Sequence, residues 1–495
     1  MFIAHALGPT KMQAGDHTGA AGRSVDAASS AWFSARSRCR ITVPIPTGWP
    51  GGVNMSDDAI GSAVTESMEA STLRIVRNRC IPILALAFIV SYLDRVNVGV
   101  AALTANKDLG LTAAMFGYGA GLASVGYAVF ELPSNLALER FGARKWLARI
   151  MISWGIIGCS MVFVRGPLSF YIVRFLLGAA EAGLFPGVIL YLTYWIPRRQ
   201  RGRYIGLFAL GIPLASVVGS PVSGMLLGMN GVLGMRGWQW LFILEALPAI
   251  VLGILVLALL TDRPSQATWL SRAQKEWLET TLEQERRAHP ESGHKGALRM
   301  LFDVRVLVLS GIFFLTGVPS YGLSFWMPQV VKTFGLSNTE TGFVSALPFL
   351  AGCFAVVWWA NISDRLHERA WNTAIAAFVG FLGLAIAARA QSPLIQLLSI
   401  CLSAVGIFGL KGPWLAMVTE AFAERSAAAG IAWVSTLGSL SGFFAPWMVG
   451  VIIQDTHNYR LALVALGINA LLGAVLVLIW AWTGGRRYHG RALSR

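Results

Sequence analysis

A pair of opposite charges interrupts one of the most apolar stretches of the chain. In SYLDRVNVGV, residues 91–100, Asp94 and Arg95 stand side by side, and the run before them, 80–93, carries no charge. Such a run suits hydrocarbon, where an ionisable side chain costs at least about 2.5–3.5 kcal/mol and normally faces a cavity or a partner. The pair is therefore a candidate for binding protons or anions.

A second acid and base lie at helical spacing in YIVRFLLGAAEAGLFPG, residues 171–187. Two helical turns put Arg174 and Glu181 on one face, about 10 Å apart along the axis. Small residues between them leave that face shallow, and Pro186 frees a backbone carbonyl and allows a bend. A cation and an acid on a thinned face suit an anion and a proton. The alternative is a buried ion pair of Arg174 with Glu181 or Asp94 that only positions helices.

The elements that hold these charges are predicted to be membrane helices. Of the 495 residues, 55% are hydrophobic and 13% are charged, whereas a soluble domain carries about a quarter charged residues. About 20 mostly apolar residues span a bilayer. We therefore predict an all-α membrane protein with twelve transmembrane helices, at roughly 80–104, 112–137, 146–164, 167–196, 202–228, 238–261, 304–333, 338–360, 371–389, 394–420, 427–453 and 460–482.

The positive charge is concentrated in alternate links. The links 139–149 and 197–203 carry four Lys or Arg each, 262–303 carries seven, and the tail 486–495 carries four. Cytoplasmic loops are enriched in Lys and Arg, so both termini are predicted to lie in the cytoplasm. The net charge of +15 then reflects the orientation of the protein in the membrane. We expect the protein to contact a lipid bilayer and not a nucleic acid.

The spans divide into two sets of six, as expected for internally repeated transporters. We predict a six-helix bundle over 71–261, a cytoplasmic linker over 262–303, and a second bundle over 304–482, related to the first by pseudo-two-fold symmetry. A basic cytoplasmic tail, 483–495, follows. The polar extension 1–70 has no apolar signal region and is predicted to be disordered.

Two details of this plan stay open in the sequence. The true start of the protein could be Met55 or Met68, with the preceding residues a mis-called extension. Within the linker, SRAQKEWLETTLEQER (271–286) favours a helix at the membrane interface or in solvent, and a plain linker is the alternative. The five cysteines are scattered and form no metal-ligand or disulfide pattern.

Several motifs, in order, resemble the anion:cation symporter family of the major facilitator superfamily, especially bacterial tartrate, phthalate and sugar-acid permeases. The resemblance covers about 72–482. The motifs are YLDRVNVGVAA (92–102), ELPSNLALERFGARKWLARIM (131–151), RFLLGAAEAGLFPGVILYLTYWIP (174–197) and SFWMPQVVKTFGLSNTETGFVSALP (324–348).

The resemblance implies roles for the charges of the first half. Asp94 and Glu181 match the family's proton-coupling acids. Arg174 matches its substrate-side arginine, Arg95 the neighbouring arginine of the first helix, and Tyr92 a cavity residue before them. We expect the two acids to take protons from outside and to free Arg174 for the substrate carboxylate.

The second half adds candidates for substrate binding. Lys411 could face Arg174 and hold the far end of a dicarboxylate, or it could snorkel or pair with Glu420. In helix eleven, Ser435 and Ser439 replace amides found in relatives, which argues against a polyhydroxy sugar acid. The candidates for an aromatic wall, with ordinary packing as the alternative, are Tyr321, Phe325, Trp326 and Trp414.

The turn ERFGARK, residues 139–145, is similar to the superfamily's GxxxDRxGRR cytoplasmic motif, with Asn135 in place of Gly and Glu139 in place of Asp. The resemblance implies a cytoplasmic gate, for which SDR at 363–365 is the counterpart in the second half. The candidate gate residues are Glu139, Arg140, Arg144, Asp364 and Arg365.

These observations together predict a monomeric inner-membrane transporter that takes up a small organic carboxylate with protons, by alternating access. The alternatives are a proton-independent anion exchanger, a metabolite exporter and, from another class, a membrane sensor that does not transport. The sequence contains no Ser/His/Asp set, metal-ligand cluster or phosphate loop. We therefore expect no enzyme activity, no metal and no cofactor besides the coupling protons.

Overall fold

A computed structural model gives the fold of the protein and describes residues 57–288, 302–422 and 427–485. By its internal contacts the chain forms a small unit, Met1–Ala63, and a compact unit, Val64–Arg495. Of the first unit, the structure describes residues 57–63, which are helical. The fold and the site described below lie in the second unit.

The described residues contain twelve helices or helix pairs that are long and apolar enough to cross a membrane, and no strand. This confirms the predicted all-α class and the number of spans. The helices of the first half are α1 (Asp57–Asp108), α2 (Ala113–Phe141), α3 (Ala143–Cys159), α4 (Pro167–Glu181), α5 (Leu184–Thr193), α6 (Arg198–Leu226) and α7 (Gly237–Leu259).

A linker helix, α8 (Arg272–Ala288), separates the halves. The second half repeats the plan of the first. Its helices are α9 (Val304–Lys332), α10 (Asn338–Leu366), α11 (Arg369–Arg389), α12 (Pro393–Gly409), α13 (Lys411–Ala421), α14 (Ala427–Ser439), α15 (Ser441–Thr456) and α16 (Tyr459–Trp480).

The start of the first helix differs from the sequence prediction. Helix α1 begins at Asp57, so 57–70 are helical, whereas the sequence predicts a disordered extension there. The apolar run marks only the part of a helix that suits hydrocarbon, and the Ala, Glu and Met residues before it favour a helix in any surroundings. Residues 1–56 and the tail 486–495 lie outside the described residues.

The linker helix α8 packs on the first half by one face. Leu278 and Leu282 are buried in the same apolar cluster as Trp195, and Trp269, just before the helix, stacks on Trp195 with ring centroids 5.1 Å apart. The opposite face of α8 is exposed and charged. The predicted helix is therefore present, and only one of its faces meets solvent.

The halves meet closely at the end of the bundle away from the basic links. A Cβ built on Gly99 of α1 would lie 2.6 Å from the carbonyl oxygen of Phe325 in α9. Gly117 of α2 likewise contacts the backbone of Pro446 in α15 so closely that no side chain fits. Glycine at these points lets two helix backbones touch, as is usual where membrane helices cross.

The fourth span of each half is interrupted beside a charged residue. Between α4 and α5, Gly183 has φ 87°, a left-handed conformation that favours glycine, and the break directly follows Glu181. Between α12 and α13 the interruption is slight and directly precedes Lys411. Pro186 lies three residues after Gly183, and Pro413 lies two residues after Lys411. Each proline removes a helical N–H. Matched interruptions in two repeats are typical of transporter binding sites.

Candidate functional site

The carboxylate of Glu181 pairs with Arg95, not with Arg174 as the helical spacing suggested. The Arg95 Nη2 lies 2.9 Å from Glu181 Oε1, and the Arg95 Nε donates to the same carboxylate at 3.0 and 3.2 Å. The Ser91 hydroxyl donates to Oε1 as well. The side chain of Glu181 is 6% exposed and that of Arg95 is 25% exposed, so the arginine is the member of the pair that solvent reaches.

Arg174 is more completely buried than the Glu181–Arg95 pair, and it makes few hydrogen bonds. It is 1% exposed, and its Nη2 donates to the Ala120 carbonyl at 3.1 Å. Its Nε and Nη1 are buried without a hydrogen-bond partner among the described residues. Glu181, Asp94 and Arg95 lie within electrostatic range of it. Neither buried ion pair that we considered for Arg174 is formed.

Asp94 points away from its sequence neighbour Arg95. Its Oδ1 accepts from the Asn97 amide at 3.1 Å, and its Oδ2 accepts from the Trp154 indole N–H. The side chain is 5% exposed. A buried carboxylate with two neutral donors and no hydrogen-bonded cation is a good proton acceptor, because its charge is poorly compensated.

Two aromatic rings lie close to the guanidinium of Arg95. The guanidinium carbon lies 5.1 Å from the ring centre of Tyr92 and 4.9 Å from that of Tyr127, within the range of cation–π attraction. Tyr321 reaches Arg95 and Glu181 electrostatically from α9, in the other half. The predicted cavity residues Tyr92 and Tyr321 are therefore brought to the pair, and Tyr127 is a neighbour that the sequence did not reveal.

The cation of the second half, Lys411, lies apart from these charges. Its Nζ is 5.4 Å from the ring centre of Phe313, which stacks on Trp414 at 4.3 Å. Among the described residues it makes no hydrogen bond or ion pair, and Glu420, the alternative partner, binds Arg369 instead. In this conformation the structure does not bring Lys411 within electrostatic range of Arg174.

The other candidates of the second half have ordinary contacts. Ser435 is exposed, and the Ser439 hydroxyl donates to the Thr436 carbonyl at 2.8 Å. Thr436 itself donates to Glu131 of α2 at 3.4 Å, a polar contact between the halves that we did not predict. Phe325, Trp326 and Trp414 are buried in the core, as ordinary packing would have them, and the aromatic wall stays a prediction.

The candidate gate residues make their described polar contacts within their own half. Arg144 donates from its backbone to Asp262 at 2.8 Å and from its Nε to the Leu257 carbonyl at 2.7 Å. In the second half Asp364 binds Arg369 at 2.6 Å. The other three, Glu139, Arg140 and Arg365, are exposed. No ion pair joins the halves at this end in the part of the chain that the structure describes.

Residues 84–446 match the model of the family described as Major Facilitator Superfamily. The chain belongs to this superfamily. A protein of Agrobacterium vitis, whose name assigns it provisionally to tartrate transport, is 45% identical over 432 residues, which are 87% of this chain and 96% of that protein. The Quinolone resistance transporter of Acinetobacter baumannii is 37% identical and covers 83% of this chain and 95% of its own.

Solved structures of the superfamily share the fold. A bacterial homologue of the human lysosomal transporter Spinster, in an inward-facing and occupied conformation, has a TM-score of 0.68 at 16% identity, over 83% of this chain and 98% of that chain. The family and the fold predicted from the sequence are thus confirmed. The protein is a multi-pass membrane transporter of the Major Facilitator Superfamily and not an enzyme.

Proposed function

We propose that this superfamily member takes up a small organic carboxylate, similar to tartrate, phthalate or a hexonate, together with protons across the inner membrane. The observation that carries the proposal is the Glu181–Arg95 pair, in which a buried acid holds a cation that is partly open to solvent. The relative named for tartrate transport supports the substrate class. Protons are the coupling ion, no other cofactor takes part, and the protein works as a monomer.

Protonation of Glu181 is the step that prepares the binding site. A neutral acid no longer attracts the guanidinium, so Arg95 is released to a substrate carboxylate, which it can bind through two parallel N–H groups. Tyr92 and Tyr127 keep the freed side chain in place. Arg174, whose Nε and Nη1 have no hydrogen-bond partner among the described residues, adds positive potential that favours an anion in the cavity.

A dicarboxylate has a second end, for which Lys411 is the candidate partner. Its ammonium makes no described ion pair, and it lies beside the interruption of the span that matches the one after Glu181. Rocking of the halves about a site at their interface would carry Lys411 towards Arg174 or Arg95. The clamp proposed from the sequence then forms only when substrate is bound.

The packing of the halves supports alternating access. They contact backbone to backbone at the end away from the basic links, and the candidate gate residues are engaged within their own halves. With the basic links and both termini in the cytoplasm, these backbone contacts close the outer side of the protein in this conformation. Regrouping of the gate residues Arg144 and Asp364 across the halves would close the cytoplasmic side.

The charge moved in each cycle depends on the substrate. If Asp94 and Glu181 each carry one proton, a monoanion brings one net positive charge inward, worth about 2.3 kcal/mol per 100 mV. A dianion makes the cycle electroneutral. Membrane potential should therefore drive uptake of a monocarboxylate and leave uptake of tartrate unaffected.

The test is uptake into proteoliposomes driven by a pH gradient, with tartrate, phthalate, galactonate and 4-hydroxyphenylacetate, for the native protein and Glu181→Gln. We expect substrate-dependent proton influx in the native protein. The variant should lose it and keep counterflow of labelled against unlabelled substrate. Glu340→Gln, at an exposed helix start, is the matched control. Uptake that ignores the pH gradient and survives in Glu181→Gln would refute proton coupling and leave an anion exchanger.

An exporter is the second candidate, because one relative is named for quinolone resistance. The sequence GIPLASVVGSPVSG (211–224) partly resembles the proline-glycine pattern of antiporters. In the structure Gly211 packs on Phe88 and Gly219 on Leu93, which supports the packing explanation of that pattern. Quinolone-dependent proton efflux from the same liposomes, without carboxylate uptake, would favour export. Binding of a carboxylate without any flux would favour a sensor.

A further inference from the structure

A carboxylate of α2 faces the second half, and the proposed transport cycle gives it no task. Glu131 is half-buried, and its Oε2 accepts a hydrogen bond from the Thr436 hydroxyl of α14 at 3.4 Å. Its place near the end of a predicted span favours a structural or gating ion pair, but Glu131 forms no ion pair among the described residues. The carboxylate therefore lies at the interface between the halves with its charge unpaired.

Helix α2 brings Glu131 near the cation that is proposed to bind substrate. Tyr127 and Glu131 are four residues apart and share a face of the helix, about 6 Å from each other along the axis. The ring centre of Tyr127 lies 4.9 Å from the guanidinium carbon of Arg95, and Glu131 itself lies within electrostatic range of Arg95. Tyr321, from α9 in the other half, is within electrostatic range of both charges. Glu131 and Arg95 thus border the same space between the halves.

An acid at this place is a disadvantage for the binding of a plain carboxylate. Its negative charge repels a second anion at short range. An ionised carboxylate also has about four acceptor sites, and the Thr436 hydroxyl is the one hydrogen-bond donor that the described contacts give it. The remaining sites suit a substrate group that donates a hydrogen bond, as a hydroxyl does and a methylene does not.

We propose that Glu131 determines specificity by accepting a hydrogen bond from a hydroxyl beside the substrate carboxylate that Arg95 binds. The transporter then prefers hydroxy acids of the tartrate type to acids of the same length without a hydroxyl. In such an acid the hydroxyl carbon is bonded directly to the carboxylate carbon, so a carboxylate on Arg95 holds its hydroxyl near Glu131. The role of Glu131 rests on the proposed function, in which Arg95 binds the carboxylate.

Calorimetric titration of the native protein in detergent tests the preference and needs no transport. Succinate, malate and tartrate share one dicarboxylate skeleton and carry none, one and two hydroxyl groups. A hydrogen bond to a charged group changes affinity by about 10- to 100-fold. At one pH, tartrate should therefore bind about 10- to 100-fold more tightly than succinate, with malate between them. Equal affinity for the three acids would overturn the proposal.

Two variants of Glu131 separate its charge from its capacity to accept a hydrogen bond. Glu131→Met removes both and keeps much of the volume, so tartrate should bind more weakly, succinate more tightly, and the ratio should approach one. Glu131→Gln keeps an acceptor oxygen without the charge and should give an intermediate ratio. A structural defect would weaken the binding of both acids equally, and that result in Glu131→Met would overturn the specificity role.

Thr436→Val is the matched control for a gating role. It breaks the same contact between the halves and leaves the carboxylate in place, so the ratio of tartrate to succinate affinity should stay as in the native protein. Loss of the preference in Thr436→Val, as complete as in Glu131→Met, would show that the contact between the halves matters and would overturn the proposal.

Failure of this role and failure of the proposed function give different results. A hydroxyl preference that depends on Glu131, without proton influx during uptake, would refute proton coupling and leave the role of Glu131 standing. Equal binding of the three acids together with proton-coupled uptake would refute the role of Glu131 and leave the proposed function standing. Binding of none of the three acids to the native protein would overturn both.

Discussion

The two halves share one helix plan but differ in the charges that they bury. In the part of the chain that the structure describes, every deeply buried charged side chain belongs to the first half. These side chains are Asp94, Arg174, Glu181 and Glu245. The buried polar residues of the second half are serines, threonines and an asparagine. Lys411, which lies at the interruption of a span in the second half, is partly exposed and packs on Phe313.

The two repeats share a fold, and this difference in buried charge indicates that they have different roles. A buried charge is retained at considerable free-energy cost, and it is tolerable where partners compensate for it. The first half concentrates buried acids and bases, which in the proposed mechanism exchange partners when a proton binds. The second half contributes backbone contacts, aromatic surface and one point charge. We therefore expect mutations in the first half to affect both stability and coupling, and mutations in the second half to affect mainly substrate affinity.

The largest effect is expected from Arg95→Met, which removes the cation and keeps much of the side-chain volume. Glu181 would keep only the Ser91 hydroxyl as a donor. Breaking a buried pair on one side should lower the free energy of unfolding by about 3 kcal/mol and uptake by about 100-fold. Thermal melting in detergent and proteoliposome uptake measure the two effects.

A double variant controls for that interpretation. Adding Glu181→Gln to Arg95→Met removes the uncompensated acid as well, so stability should return most of the way while uptake stays low. If Arg95→Met alone melts like the native protein, the pair does not compensate a buried charge. The contrast between the halves would then lose its energetic basis.

The contact between the halves should be the next most sensitive feature. Gly117→Ala places a methyl group against the backbone of Pro446, and overpacking of this kind costs about 1–3 kcal/mol. We expect lower uptake and faster labelling of a cysteine placed at Ser124, which lies against Gly442 of α15, since the closed end is wedged open. Gly206→Ala, at the basic end, has open space around it and is the matched control. Equal effects of the two variants would show that the contact of Gly117 with Pro446 does not hold the halves together.

The positions of the spans could be predicted from the sequence, because a bilayer demands a continuous apolar run whatever the partners are. The interruption after Glu181 was also foreseeable, since Pro186 and Gly183 lie at fixed offsets from it. The polar start of α1 could not be predicted, because an apolar run does not show whether its helix continues into water.

Partner choice within the site could not be read from the sequence. Arg174 and Glu181 share a face of one helix, yet Glu181 turns to Arg95 across the gap between α4 and α1. The relative rotation and height of two packed helices decide that contact, and neither is encoded in spacing along one chain segment. The same holds for Glu245, whose neighbours Asn97 and Ser223 come from two other helices.

Lys411→Met tests the second half and should have a moderate effect on transport alone. The described residues offer the ammonium no carboxylate, so its loss leaves no acid uncompensated and the melting temperature should not fall. Loss of one point-charge contact should raise the KM for a dicarboxylate by about tenfold, or about 1.4 kcal/mol. A monocarboxylate should be much less affected, and this comparison is the internal control. A fall in stability like that of Arg95→Met would show that the halves do not differ in the expected way.

The smallest effect is expected at the basic end, from Arg369→Gln. Arg369 bridges Asp364 at 2.6 Å and Glu420 at 3.1 Å, and both acids are well exposed. Exposed ion pairs contribute about 0–1 kcal/mol, so melting should change little and should change less still at high salt. In the proposed cycle Asp364, the partner of Arg369, regroups across the halves when the cytoplasmic side closes. The rate of substrate exchange should therefore change more than the stability. Loss of stability comparable to that of Arg95→Met would mean that this network is structural, and that buried charge in the first half is not what distinguishes the two repeats.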